Sequence, residues 1–169
     1  MAFEKKRRQS RDGEGGREKS EFDQKVVEVK RVTRVTSGGK RMRFRALVVI
    51  GDHRGRVGMG LKKGADVSES VNKAVAQAKK NMVTLPLVNE TLPHELNIKY
   101  KSSSLMLKPA RPGTGVIAGG AVRSVMELAG VKNVVSKMLG SNNKVNNVKA
   151  VFAAFGAMKS KETLANMRK

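Results

Sequence analysis

Arg41-Met42-Arg43-Phe44-Arg45-Ala46-Leu47-Val48-Val49-Ile50-Gly51-Asp52-His53-Arg54-Gly55-Arg56-Val57-Gly58-Met59-Gly60 is the stretch from which the rest of the chain is read. In an extended strand Phe44, Ala46, Val48 and Ile50 point one way and Arg43 and Arg45 the other, giving a core face and a basic face near its start. Residues 51–55 read as a turn. Residues 56–61 read as a short third strand in which Gly58 and Gly60 allow close backbone approach. Upstream, residues 26–35 alternate Val loosely with Lys, Arg and Thr, and Ser37, Gly38 and Gly39 turn the chain. This predicts a β-hairpin whose second strand is the quoted one.

Downstream, Asp66 is placed to cap a helix and Glu69, three residues on, to complete a capping box. Val67, Val71, Ala74, Val75, Ala78 and Met82 form one stripe, with Lys73, Lys79 and Lys80 off it. The first unit therefore reads as three strands and a helix. Pro86, Pro93, Pro109 and Pro112 all fall within residues 86–112, which places the boundary between two domains there. Beyond it, residues 96–100 and 105–108 read as strands and residues 112–120 as a glycine-rich loop. A helix with Val122, Val125, Met126 and Ala129 on one face stops at Gly130, and residues 131–138 are β-rich. Residues 141–143 can cap a last helix presenting Val145, Val148, Val151, Phe152 and Phe155. The expected class is α+β: a first domain over residues 21–87 and a ββαβα domain over residues 88–169.

Thirty-five Lys and Arg against fourteen Asp and Glu in 169 residues give a net charge of +21, which points to a polyanionic partner. Residues 1–28 are nearly balanced at +1, residues 29–63 carry +10, and the remainder carries +10. Residues 1–20 are too polar and glycine-rich to order themselves and read as a disordered tail. The excess lies instead on foldable sequence, as a shaped basic surface. The longest run without a charge, residues 112–122, is eleven residues, against about 20 apolar ones for a spanning helix, so no membrane partner is expected. The absence of Cys excludes disulfides, thiolate zinc sites and Cys nucleophiles, and fits a cytoplasmic location.

No catalytic site, metal or cofactor is expected. Residues 113–118 match a loose G-x-G-x-x-A pattern but lack the acidic residue about 20 positions on, and residues 115–120 lack the Lys and Ser or Thr that must follow a phosphate-binding loop. Asp66 and Glu69 are accounted for by the helix cap; Asp52 lies in a turn, Glu90 and Glu95 in the proline band, and Glu127 and Glu162 are isolated. His53 and His94 are too few for a metal cluster and read as surface or phosphate contacts. The chain has no Trp, one Tyr and five Phe, and Phe44, Phe152 and Phe155 sit on apolar faces. Base stacking is therefore not the recognition mode; contacts to phosphates and 2′-hydroxyls of structured RNA are. Arg31, Arg34, Lys40, Arg41, Arg43, Arg54, Arg56 and the Lys62-Lys63 pair, expected at a helix start, are the leading phosphate ligands, with Thr36, Ser37, Gly38, Gly39, Arg45, Lys108 and Arg111 completing the RNA-binding set.

Two blocks, residues 39–60 and 108–123, closely resemble bacterial small-subunit ribosomal protein S five, and the likeness covers about residues 22–158. The resemblance implies a first domain like a double-stranded-RNA-binding domain and a second of the left-handed βαβ type. It implies that loop residues 33–41 reach ribosomal RNA near the neck and the spectinomycin pocket. It also implies that the glycine block, with Gly113, Thr114, Gly115 and Arg123, lies at an interface with ribosomal protein S four where decoding accuracy is influenced. Ribosomal protein S eight, and messenger RNA in the channel through which it enters, are the other implied partners. The expected role is a constituent of the small ribosomal subunit that binds ribosomal RNA and supports assembly. Two rivals are a free-standing double-stranded-RNA chaperone and a nucleotide-dependent enzyme using residues 113–120.

Overall fold

The computed structural model describes residues 21–159; the tail expected over residues 1–20 lies outside them. The expected hairpin forms from β1 (Asp23–Thr36) and β2 (Gly39–Gly51), antiparallel across the Ser37-Gly38 turn. A register shift between Val26 and Glu28 reverses which β1 residues face which side. Lys25 thereby shares a face with Glu28 and Lys30.

Strand β3 (Arg56–Gly64) pairs with β2 and runs past the expected end, so Lys62 and Lys63 sit on a strand and not at a helix start. Helix α1 (Val67–Lys80) ends at Asn81, and Met82, expected on the helical stripe, opens a fourth strand, β4 (Met82–Thr84), paired antiparallel to β3. Three residues carry too little periodicity to announce a strand; the partner edge makes it. The capping box is half formed. Asp66 is the cap residue, but its carboxylate takes the Ser68 hydroxyl at 2.5 Å instead of a helix N–H, while Glu69 Oε2 accepts the Ala65 N–H at 2.6 Å. Ala74 and Ala78 pack so closely on β3 that a Cβ on Gly58 or Gly60 would collide with their carbonyl oxygens.

The second sheet has the order β5-β6-β8-β7, from β5 (Leu96–Tyr100), β6 (Ser103–Pro109), β7 (Val116–Ile117) and β8 (Val134–Gly140). Strand β7 corrects the ββαβα expectation: two residues of the glycine-rich loop pair parallel to β8, with helix α2 (Gly120–Ala129) between them in sequence. Gly130 ends α2 at a φ of 82°, as its position predicts. Helix α3 (Lys144–Ala157) is capped by Asn143, whose side chain accepts the Val145 N–H at 3.1 Å.

The core corrects a further expectation. Ala46, Val48 and Ile50 are buried with Ala74 and Ala78, but Leu47 and Val49 on the other face of β2 are buried too. They join Val57, Leu105, Leu107, Val122, Val125, Met126, Val151 and Phe155 in one cluster running from the first sheet through the second. Arg43 and Arg45 therefore lie at the uncovered end of a face whose other end is core.

Candidate nucleic-acid interface

Cross-strand register assembles the basic surface. Lys30 pairs with Arg45, Val32 with Arg43 and Arg34 with Arg41, and Arg45 pairs in turn with Lys63 on β3. Directly opposed residues share a face, so Lys30, Arg34, Arg41, Arg43, Arg45 and Lys63 form one cationic surface, with like charges opposed at Arg34–Arg41 and Lys30–Arg45. The carboxylate on this face, Glu28, lies 3.4 Å from Lys30 Nζ. Among the described residues Arg34, Arg41, Arg43, Arg45 and Lys63 have no carboxylate in ion-pair range. A concavity of about 320 Å³ is lined by Val32, Thr33, Arg34, Arg41, Arg43 and Lys63. A second, of about 520 Å³ at the hairpin tip, is lined by Arg34, Thr36, Ser37, Gly38, Gly39, Lys40 and Arg41. Thr36 Oγ1 closes that turn by donating to the Gly39 carbonyl at 3.0 Å.

The other expected ligands are distributed. Arg31 and Lys62 lie on the opposite face of the sheet, paired with Phe44 and Ala46. Arg54 and Arg56 belong to the β2–β3 turn at the far end. Arg56 Nε donates to Asp52 at 2.7 Å, its Nη2 lies 3.4 Å from Glu21, and its guanidinium stands 5.5 Å from the Phe22 ring centroid. Lys108 lies one residue before the end of β6, 3.3 Å from Glu95, and Arg111 follows in the loop. Lys30 was missed because β1 alternates too loosely to assign its face; the hairpin register, unbroken from Glu28 to Thr36, sets it opposite Arg45. Lys73 and Lys80, legible as cations off the apolar stripe, join Lys62 and Gln77 around a separate concavity of about 310 Å³.

Asp52 organises the β2–β3 turn. With its side chain only 5% exposed, it accepts the backbone N–H groups of Arg54 at 2.9 Å and Arg56 at 3.0 Å besides the Arg56 guanidinium. Burial pushes its carboxyl up, and the bonds from the Arg56 side chain and the two N–H groups outweigh this, holding it below the ordinary carboxylate value. His53 is not a free phosphate ligand: its Nδ1 lies 2.8 Å from the Glu127 carbonyl oxygen and its Nε2 3.0 Å from Asp23.

In the glycine block Gly113 and Gly115 take φ values of 89° and 74° and face open space. Asn133 Oδ1 accepts the Gly115 N–H at 3.2 Å, and the Gly115 carbonyl accepts the Val134 N–H at 3.1 Å, fixing the loop to β8. Arg123 donates to Glu127 at 2.9 Å, and Lys25 reaches the other Glu127 oxygen at 2.9 Å. Hydrogen bonds from Lys25 and then Arg123 hold the Glu127 carboxyl below its ordinary value against a smaller upward push from burial.

Residues 22–86 match the family model "Ribosomal protein S5, N-terminal domain", and residues 98–168 match "Ribosomal protein S5, C-terminal domain". The small ribosomal subunit protein uS5c of Spinacia oleracea is 49% identical over 148 residues, covering 87% of this chain and 48% of that relative. The chain thus spans about half the length of the curated relative it matches.

Proposed function

The chain belongs to the ribosomal protein S5 family, and from that premise we propose that it is a non-enzymatic constituent of the small ribosomal subunit that binds ribosomal RNA and supports subunit assembly. The observation that carries this reading is the unbalanced cationic face of the hairpin. Five side chains with no carboxylate in ion-pair range among the described residues repel one another on a shared surface, and a polyanion laid along it removes that cost. Both concavities present Arg, Lys and Thr side chains and, among the described residues, no aromatic ring, which suits phosphates and 2′-hydroxyls better than base edges.

In this reading residues 21–87 and 88–169 are two domains sharing one core, the first presenting the hairpin to RNA. The glycine block, with Gly113, Thr114, Gly115 and Arg123 at the surface, meets ribosomal protein S four and influences translational accuracy. Ribosomal protein S eight, and messenger RNA in the channel through which it enters, complete the partners. Binding of the full chain to small-subunit ribosomal RNA, titrated from low to moderate salt, tests the RNA role. With about 6–10 phosphate contacts, affinity falls by roughly 10³ to 10⁵; a salt-independent affinity would overturn it.

A further inference from the structure

A second feature, away from the hairpin, is a cleft of about 280 Å³ between β1 and the starts of α2 and α3. Its polar lining comes from Gly120, Ala121, Ser124, Asn142, Lys144 and Asn147, over an apolar floor that includes Val27 and Met138. Nothing in that lining is acidic, and neither helix carries an acidic residue in its first turn.

Three observations make it a donor site in need of an acceptor. Helix α2 begins at Gly119 with no side-chain cap, so the first-turn N–H groups at Gly120 and Ala121 have no intrahelical partner, and a Cβ on Gly120 would meet open space. Lys144 is the first residue of α3, a cation at the positive end of a helix dipole, which is unfavourable unless an anion stands beside it. Asn147 is 1% exposed; its Oδ1 accepts the hydroxyl of Ser103 on β6, outside the lining, and its Nδ2 has no partner. A buried donor left unpaired is costly, and this one belongs to a residue of the cleft wall.

We propose that this cleft binds a single phosphate-type oxyanion, held by the α2 N-terminal amides, the Lys144 ammonium and the Asn147 side-chain amide. A phosphate-type oxyanion offers several acceptor oxygens, enough to take helix amides, an ammonium and a carboxamide together. The site is independent of the hairpin's RNA role, since it shares no residue with the basic face.

The test is an amide NMR titration of the full chain with inorganic phosphate at constant ionic strength. Saturable shifts at Gly120, Ala121 and the Asn147 side-chain amide are expected. Lys144→Glu, at an exposed position that leaves the fold intact, and Asn147→Asp should each weaken binding about tenfold or more, whereas Arg41→Ala should leave it unchanged. A short RNA oligonucleotide separates the sources of the anion: shifts of the same amides assign the site to a backbone phosphate, and a response to inorganic phosphate alone assigns it to the free ion. No movement of these amides, or an affinity in Lys144→Glu within about twofold of the parent, overturns the proposal.

Discussion

The backbone N–H of His53 donates to the carbonyl oxygen of Leu128 at 3.0 Å, tying the β2–β3 turn to the C-terminal end of α2. Gly55 N–H takes the next carbonyl, Ala129, at 2.9 Å, and His53 Nδ1 takes the preceding one, Glu127, at 2.8 Å. The Leu128 and Ala129 carbonyls, which the helix end leaves unpaired, are thus satisfied by the β2–β3 turn, while the Glu127 carbonyl, which already accepts the Gly130 N–H at 3.1 Å, gains a second partner. Two glycines make the approach possible: a Cβ on Gly51 would collide with Leu128 O, and one on Gly130 with His53 O.

Gly51→Ala and Gly130→Ala should therefore each destabilise the protein by about 2–4 kcal/mol, the second also because Gly130 sits at positive φ. Urea unfolding monitored by circular dichroism reads this. A midpoint unchanged in both variants would show that the turn and α2 are not in contact.

The same turn gives a pH dependence. The Asp52 carboxyl lies below its ordinary 3.8 in the fold, so the unfolded chain binds the proton more tightly. Its contribution is fully present above the unfolded value and is lost as pH falls through the folded one. Asp52→Asn should cost about 1–3 kcal/mol near neutral pH, and the gap to the parent should close progressively below about pH 4. A gap that stays constant down to pH 2 would contradict the assigned charge.

Much of this was legible in the sequence and some was not, for identifiable reasons. The hairpin was legible because Val and Arg alternate around a Ser-Gly-Gly turn, and α2 because its apolar positions repeat at helical spacing and stop at Gly130. Strands β4 and β7 escaped because three and two residues carry no period of their own. The burial of Leu47 and Val49 escaped because a run of apolar residues does not say whether one face or two will be covered. Of the basic face, the arginines could be counted, but which of them share a side follows from register. The role of His53 in joining the two sheets left no local signature.

Arg34→Ala, Arg41→Ala and Arg43→Ala change side chains that are exposed and have no carboxylate partner among the described residues, so each should leave stability within about 0.5 kcal/mol of the parent. Each should lower the slope of log affinity for duplex-containing ribosomal RNA against log salt by about 0.9 for every phosphate contact removed. Filter binding across a salt series measures this; slopes identical to the parent in all three would remove the hairpin from the interface.

Arg123→Leu breaks an exposed pair with Glu127 that Lys25 continues to hold, so its cost to folding should stay below about 1 kcal/mol. If this side chain meets ribosomal protein S four, a strain carrying the substitution should show altered misreading in a reporter assay. Error rates equal to the parent would deny Arg123 that role.

The most direct measurement is the distribution of the endogenous protein across a sucrose gradient. A small-subunit constituent is expected in one copy per small subunit, in step with small-subunit ribosomal RNA, and should leave those fractions when the salt is raised. Recovery mainly at the top of the gradient, in fractions without small subunits, would contradict the account and favour a free-standing RNA chaperone.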